Sequence, residues 1–395
     1  MLHGESMQLK ETHVVIVTHY LTYGAPQALR DFLNAEKVKS LLFIGHPLIS
    51  EESEGSYSEL FEQGCLVNKT ILSPRKSIKT VDYFWEILTN MLIVKRQRKK
   101  IALYVGADCL NAFAGIMLKW FGVVEKVVFY TIDYVPHRFQ NRLMNRVYHW
   151  LDRFCVKFAD ETWNLSQGMA EGREKYYGLK QSVYNRQKVV PLGVWLEKVK
   201  IKPFDQIDKH KLLFVGHLLK KQGIQHVLRA IPEIIQRIPE FHFLIVGGGE
   251  YEADLRKIVE ELGIEKQVSF AGWIKDQDRD QLDKMMVDCA LAIAMYNKYD
   301  ELGNLNFSCF TAPGKLKDYL SVGLPILLTD IPYDAVEIEQ NECGKIIDTS
   351  PETIAASVIE IMGDEETLKR YRNNALEYIK RFHWRDIFQE ALRDI

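Results

Sequence analysis

Short apolar runs rich in Val, Ile and Phe alternate with stretches of helical period over almost the whole chain. HVVIVT at residues 13–18, SLLFIG at 40–45, IALYVG at 101–106 and VVFYTI at 127–132 are continuously apolar. That pattern predicts parallel strands buried on both faces rather than strands with one wet side. Helical patterns lie between them, over residues 25–36, 81–98, 111–121 and 139–159. The alternation pauses at 197–210, EKVKIKPFDQIDKH, which is polar, contains Pro203 and has no period. It restarts with 211–215 (KLLFV), 242–246 (HFLIV), 268–270, 290–294 and 325–328 (PILL). The expected architecture is therefore α/β, with two doubly wound parallel sheets. Residues 1–196 form the first domain, 197–210 a linker, 211–380 the second domain and 381–395 a terminal helix. Sheets of this kind bind ligands beyond the carboxyl ends of their strands, so the loops after the strands are where chemistry is sought.

Composition bounds the function classes. A chain of 395 residues is long enough for two cores, and 47% apolar with 26% charged residues excludes wholesale disorder. No apolar run approaches the roughly 20 residues of a membrane span. The opening MLHGESMQLKETH has no apolar signal core, so a cytoplasmic chain is expected. Six cysteines lie scattered without CxxC spacing, which argues for buried, reduced thiols and against a zinc site. The net charge of −2 hides an asymmetry: residues 1–190 hold 25 Lys+Arg against 19 Asp+Glu (+6), and the rest 26 against 34 (−8). A basic first half expects an anionic contact. KRQRKK at 95–100 is its densest part, and residues 139–158 interleave Arg142, Arg146, Arg153 and Lys157 with Phe139, Leu143, Val147, Trp150 and Phe154. Two readings of that helix stay open: a core helix with solvated charges, or a helix lying on an anionic membrane surface. No nucleic-acid-binding motif is present.

Three loops of the second half carry candidate binding chemistry. In FVGHLLKKQG (214–223), Gly216 lets backbone approach a phosphate, and Lys220 or Lys221 can oppose its charge. In LIVGGGEYEADL (244–255) the glycines follow a strand, but the G-x-G-x-x-G spacing fails and Glu250 stands where a pyrophosphate would sit. That argues against a nicotinamide dehydrogenase. In TAPGKLKDYLSVGLPILLTD (311–330), Pro313 and Gly314 open a helix whose first turn carries Lys315, with Asp318 one turn further in reach of ribose hydroxyls. The same segment also reads as an ordinary amphipathic helix closed by Gly323.

In order and spacing, FVGHLLKKQG, LIVGGGEYEADL, VSFAGWIKDQD and PGKLKDYLSVGLPILLTD resemble the nucleotide-sugar domain of the large retaining group 1, family 4-like glycosyltransferases. The resemblance is close over about 170 residues. It is fainter through Gly24, Ser166, VVPLGV at 189–194 and the closing RFHWRDIFQEAL. It implies a GT-B fold, two Rossmann-like domains facing each other across a cleft, and transfer of a sugar from a nucleotide-diphosphate sugar to an acceptor hydroxyl in glycan or polysaccharide synthesis. The donor would be bound by Gly216, His217, Lys220, Lys221, Gly247, Trp273, Ile274, Gly314, Lys315 and Asp318, with Gly24 on the acceptor side. No metal and no cofactor is implied. A lipid-linked acceptor and peripheral contact with the inner face of a membrane are among the partners expected.

The departures from the family pattern are specific. The arginine of its Gly-Arg loop is His217, and the lysine before the helix glycine is Gln222. The first of its two glutamates falls on Phe310 and the second on Asp318; the histidine after its fourth parallel strand is Asp133. Asp133 and Glu301 are the carboxylates expected near the acceptor or the oxocarbenium-like centre. These losses keep two alternatives in view: a non-catalytic GT-B-like binding or partner protein, and a sugar-nucleotide epimerase.

Overall fold

The continuously apolar runs do become parallel strands, and their alternating side chains fill one core on each face of a sheet. A computed structural model describes residues 10–19, 22–47, 55–72, 79–180, 182, 184, 186–275, 278–300 and 302–393. The chain divides into two units, residues 1–192 with 384–395, and residues 193–383.

The first unit holds strands β1 (His13–Thr18), β2 (Ser40–Gly45), β3 (Tyr57–Glu62), β4 (Cys65–Ile71), β5 (Ile101–Ala107), β6 (Val124–Thr131), β7 (Glu161–Asn164) and β8 (Gln187–Val189). Its helices are α1 (Ala25–Ala35), α2 (Lys79–Arg96), α3 (Cys109–Trp120), α4 (Arg142–Phe158) and α5 (Gln167–Tyr177). The strand order is β4-β3-β2-β1-β5-β6-β7-β8, with every strand running the same way except β3, which is antiparallel to both its neighbours. The chain thus builds outward from β1 on one side, then returns to its other side with β5. In register, Thr18 on β1 lies opposite Gly45 on β2 and Ala107 on β5. The residues that follow, His19, His46 and Asp108, therefore emerge along one edge. The β3–β4 hairpin has no counterpart in the sequence expectations. Its two-residue turn places Gln63 (φ 48°) and Gly64 (φ 83°) both in the left-handed region, as a tight hairpin of this twist requires. β4 is exposed throughout, so no apolar pattern announces it. It also opens on Cys65, an exposed thiol; Cys309 is half-buried, and the other four free thiols are buried as expected.

The second unit holds β9 (Lys211–Val215), β10 (His242–Val246), β11 (Val268–Gly272), β12 (Leu291–Ala294), β13 (Ile326–Leu328) and β14 (Gly344–Ile346). The helices are α6 (Ile224–Ile234), α7 (Glu252–Leu262), α8 (Arg279–Val287), α9 (Gly314–Ser321), α10 (Ala335–Gln340), α11 (Pro351–Met362) and α12 (Glu365–Tyr378). The sheet is parallel, in the order β11-β10-β9-β12-β13-β14. Leu212, Phe214, Ile245 and Ile293 point to one core, while Leu213, Val246, Ala292 and Leu328 point to the other. This is the period-2 alternation of a strand buried on both faces.

Residues 197–210 do not form a free linker. They carry short 3-10 turns at Leu196–Lys198 and Phe204–Gln206. Ile207 is buried in one core of the second unit, and Leu196 and Val199 pack on the other. Lys202 pairs with Asp288, and its carbonyl accepts a bond from Arg372. Isolated apolar residues among charges have no period, yet each is an anchor. The terminal helix α13 (Trp384–Ala391) belongs to the first unit, where the Phe388 ring lies 5.7 Å from Phe32 of α1 and Arg385 pairs with Glu36.

One buried ion pair holds α4, α5, β6 and β7 together. Arg173 donates from Nε and Nη2 to both oxygens of Asp152 (2.8 and 2.9 Å), from Nη1 to Asn164 (2.7 Å) and from Nη2 to Thr131 (2.9 Å). Removing one partner strands a charge away from water. Arg173→Ala is expected to cost about 3–5 kcal/mol in urea unfolding, whereas Arg173→Met with Asp152→Leu should cost far less. Equal losses in the two variants would show that the pair is not what the core depends on.

Candidate nucleotide-sugar site

Strand order in the second unit reverses between β9 and β12, and in open parallel sheets the ligand lies outside the strand ends at such a reversal. Glycines stand where the strands end. Val215 lies opposite Val246, and Val246 opposite Gly272. Gly216 donates to the Val246 carbonyl (3.0 Å) and Gly247 to that of Gly272 (2.9 Å). Gly216 and Gly247 have φ values of 150° and 140°. A Cβ on Gly247 would lie 1.9 Å from the Gly216 carbonyl oxygen, so these backbones approach as only glycine allows. The loops beyond remain joined, with Leu218 donating to Gly248 and Tyr251 to Leu218.

Helix α9 delivers the charge. Its N-cap is Pro313, and its buried face presents Leu316, Tyr319 and Leu320 to the sheet. The β9–β12 ladder extends only to Leu213, which leaves the Val215 amide beyond it; that amide donates to the Tyr319 hydroxyl at 2.7 Å. On another side Lys317, itself buried, pairs with Asp334 at 2.8 Å and lies 3.6 Å from the centroid of Phe382. These two anchors fix the helix, and Lys315 in its first turn then falls at the reversal. Its Nζ stands 5.1 Å from the Phe214 ring centroid, 4.9 Å from that of Tyr296 and 3.9 Å from where a Gly216 Cβ would sit. Tyr296 is held in turn by Thr329, whose hydroxyl bonds both its amide and its carbonyl at 3.0 Å. The Tyr296 hydroxyl is buried and finds no partner among the described residues.

Burial lowers the Lys315 ammonium to a pKa of about 8. Among the described residues it faces no carboxylate, only the Gln222 amide oxygen at 3.5 Å. By contrast, α7 begins with Glu252 and Asp254, so its N-terminus repels an anion. The start of α9 thus carries a cation where the start of α7 carries two carboxylates.

Asp318, one turn after Lys315, is half-buried and pairs with Arg279 of α8 at 3.2 Å. Desolvation raises its carboxyl pKa, and the guanidinium opposes that rise. Arg279, also bonded to Asp283 at 2.8 Å, is a side chain that sequence reasoning missed, since 39 residues separate it from Asp318. His217 is exposed and packs on Trp273 with centroids 4.7 Å apart; Ile274 packs on the core behind them. Lys220 and Lys221 form an exposed 3-10 turn with Gln222, and of the three it is Gln222 that meets Lys315. Asp300 binds its own loop, accepting from the Leu302 and Asn304 amides, which holds its carboxyl below the usual range. Glu301 lies outside the described residues. Among the described residues no group of three or more His, Cys, Asp or Glu can hold a metal ion.

The first unit has its own reversal, between β1 and β5. His19 after β1 bonds Asp108 after β5 at 2.5 Å and Glu86 of α2 at 3.0 Å. Burial opposes its charge, but the two carboxylates outweigh that and raise its pKa to about 10. His46 is held neutral by burial and by the charge on His19, and bonds Ser56 and Asn90, each at 2.8 Å. Asp108 has φ 117°, a conformation rarely taken outside glycine. Its two oxygens accept from the Asn111 amide, from the Asn111 side chain and from His19. No motif could have joined residues 19, 86 and 108; the register of β1 against β5 does. Asp133, expected near the reacting centre, pairs with Arg138 at 2.7 Å. Gly24 caps α1 in extended conformation and donates its amide to the Gln27 side-chain oxygen at 3.1 Å; a Cβ there would meet nothing closer than that oxygen, at 3.8 Å.

The family profile described as Glycosyl transferases group 1 matches residues 197–378. The chain is 22% identical over 302 residues to the alpha-D-kanosaminyltransferase of Streptomyces kanamyceticus, covering 71% of this chain and 73% of that one. It is 24% identical over 203 residues to an uncharacterized glycosyltransferase of Methanocaldococcus jannaschii, a match spanning 50% of this chain and about half of its relative (48%). The crystal structure of Anabaena HepE in complex with UDP superposes with a TM-score of 0.68 at 13% identity, over 97% of this chain and all of HepE. Residues 197–378 thus match the group 1 glycosyl transferase family, and the relatives that reach beyond them are named glycosyltransferases. Its fold is GT-B.

Nucleotide-sugar transfer requires positive charge against a diphosphate, and the Lys315 ammonium can supply it. An anionic ligand raises the lowered ammonium pKa, so binding takes up a proton wherever the free lysine is neutral and the bound one charged. Below pH 8 the group is charged in both states and contributes no slope. Above about pH 8, diphosphate affinity is expected to fall by up to about tenfold per pH unit. Lys315→Arg, which stays charged, should flatten that slope. Calorimetric titration of UDP and GDP across this range checks it. A flat wild-type profile would place the phosphate elsewhere.

Proposed function

We propose that this glycosyltransferase moves a sugar, with retention and without a metal ion, from a nucleotide-diphosphate sugar to an acceptor hydroxyl. The observation that carries the reading is Lys315, a half-buried ammonium facing no carboxylate among the described residues, beside the strand-end glycines at the reversal of the second sheet. As the bond from the anomeric carbon to the β-phosphate oxygen breaks, negative charge grows on that oxygen. An ammonium fixed in an apolar setting opposes it more strongly there than in the ground state. Gly216 and Gly247 let backbone close on the phosphates, Gly314 gives α9 its free first turn, and Asp318 takes the ribose hydroxyls. His217, Trp273 and Ile274 flank the nucleotide, and Lys220 and Lys221 add positive charge at the loop. The acceptor oxygen bonds to the anomeric carbon on the face the diphosphate leaves, and its proton passes to the departing phosphate oxygen.

We place the acceptor on the first unit, at the reversal marked by His19, Glu86 and Asp108, with Gly24 alongside. His19 keeps the two carboxylates oriented as acceptors for sugar hydroxyls. Asp133 and Glu301 are assigned to the acceptor or the oxocarbenium-like centre. A lipid-linked acceptor in glycan synthesis is the form the basic first half favours. The alternative, a non-catalytic binding protein, is favoured by His217, Gln222 and Phe310 standing where relatives carry arginine, lysine and glutamate.

Turnover separates the two. UDP- or GDP-sugars are expected to be consumed with an acceptor, undiminished by a chelator, giving a product whose anomeric configuration matches the donor by NMR. Lys315→Ala should lower kcat by about a hundredfold with a smaller change in donor KM. Donor binding without turnover for any acceptor would favour the binding protein, and an inverted product would end the retaining assignment.

A further inference from the structure

Helix α4 buries one side and leaves the other uncovered. Leu151, Asp152, Cys155 and Val156 face the core. Opposite them, Leu143, Val147 and Trp150 recur at helical spacing and are 69%, 56% and 55% exposed. The stripe does not stop at the helix. Trp120 and Phe121, closing α3, are 58% and 65% exposed, and the Trp120 ring meets Phe154 and Phe158 edge-on at 5.9 and 5.7 Å. Lys95, in the last turn of α2, stands 4.7 Å from the Phe121 centroid, which brings the KRQRKK segment to the same patch. A core helix with solvated charges would not leave these rings in water; a contiguous patch of this size marks a contact surface.

Charge selects the partner. The only acid on α4 is Asp152, buried and neutralised by Arg173. In the neighbouring basic segments Lys99 pairs with Glu62, Lys100 with Glu125 and Lys119 with Asp160, so those cations are already balanced. Arg142, Arg146, Arg153 and Lys157 run beside the apolar stripe along a helix about 25 Å long, and among the described residues none of them pairs with a carboxylate. A surface layered as anionic headgroups above hydrocarbon complements that arrangement: the rings and aliphatic side chains enter, while the cations reach back to the phosphates. We propose that the α4 face, with the end of α3, docks this chain on an anionic lipid bilayer. The proposal does not depend on the transferase reading, although it would bring the first unit to an acceptor carried in that bilayer.

Flotation of the full chain with phosphatidylglycerol-containing vesicles, against pure phosphatidylcholine, tests it. Binding is expected to the anionic vesicles alone, weakened by salt, and weakened about fivefold for each cation lost from the face. Arg142→Glu with Arg146→Glu, and separately Leu143→Ser with Trp150→Ser, should each release the protein while UDP or GDP binding stays unchanged. An unchanged circular-dichroism spectrum and melting curve show that the first unit of each variant folds, and nucleotide binding by the second unit keeps this test apart from that of the transferase. No flotation of wild type at low salt, flotation that both variants preserve, or a doubled mass in solution that Leu143→Ser with Trp150→Ser abolishes would each overturn the proposal, the last by showing that a second copy covers the face.

Discussion

The constraint on which the second unit's candidate site depends is an ammonium, Lys315, whose pKa burial lowers to about 8. Lys315 could not stay there unless α9 were fixed independently of it. The fixing is done by Tyr319, which completes the amide of Val215, and by the buried pair of Lys317 with Asp334. Three alternate residues of one short helix thus have separate tasks: Lys315 stands at the strand-order reversal, while Lys317 and Tyr319, two and four positions along, hold the helix. The strand-end glycines supply the other half of the constraint, because any side chain at Gly247 would meet the Gly216 carbonyl. Positive charge and closely approaching glycine backbone therefore coincide where strand order reverses.

The first unit meets the same topological condition with the opposite chemistry. At its reversal stands a histidinium between two carboxylates rather than a lysine among aromatic rings. The strained backbone of Asp108 persists because its carboxylate is bonded on every side, by the Asn111 amide it caps and by His19. A backbone held at such a φ costs on the order of 1–3 kcal/mol, which the network must offset. One reversal carries a cation and the other carries carboxylates, which is the complementarity that the proposed transfer between a diphosphate sugar and an alcohol would use.

Much of this was legible in the sequence, and the limits have physical causes. Buried parallel strands announce themselves as apolar runs, so β1, β2, β5, β9 and β10 stand at the expected positions. Pro313, Gly314 and Lys315 marked the start of α9 because a helix N-terminus is written locally. The β3–β4 hairpin escaped because β4 buries nothing and its turn rests on Gln63, not a residue usually associated with φ above zero. Residues 197–210 were misjudged because Ile207 and Val199 anchor singly, without a period. The pairing of Asp318 with Arg279, and the cluster of His19, Glu86 and Asp108, are products of register and helix packing; neither has a sequence spacing that could reveal it. The stripe on α4 was visible as a pattern, but only its exposure separates a docking face from a core.

A crystal structure of the full chain with UDP or GDP tests the central assignment most directly. The β-phosphate is expected within hydrogen-bond distance of Lys315 Nζ and of the Gly216 loop amides, with the ribose on Asp318. A diphosphate bound away from Lys315, at the start of α7 or against the first unit, would contradict it.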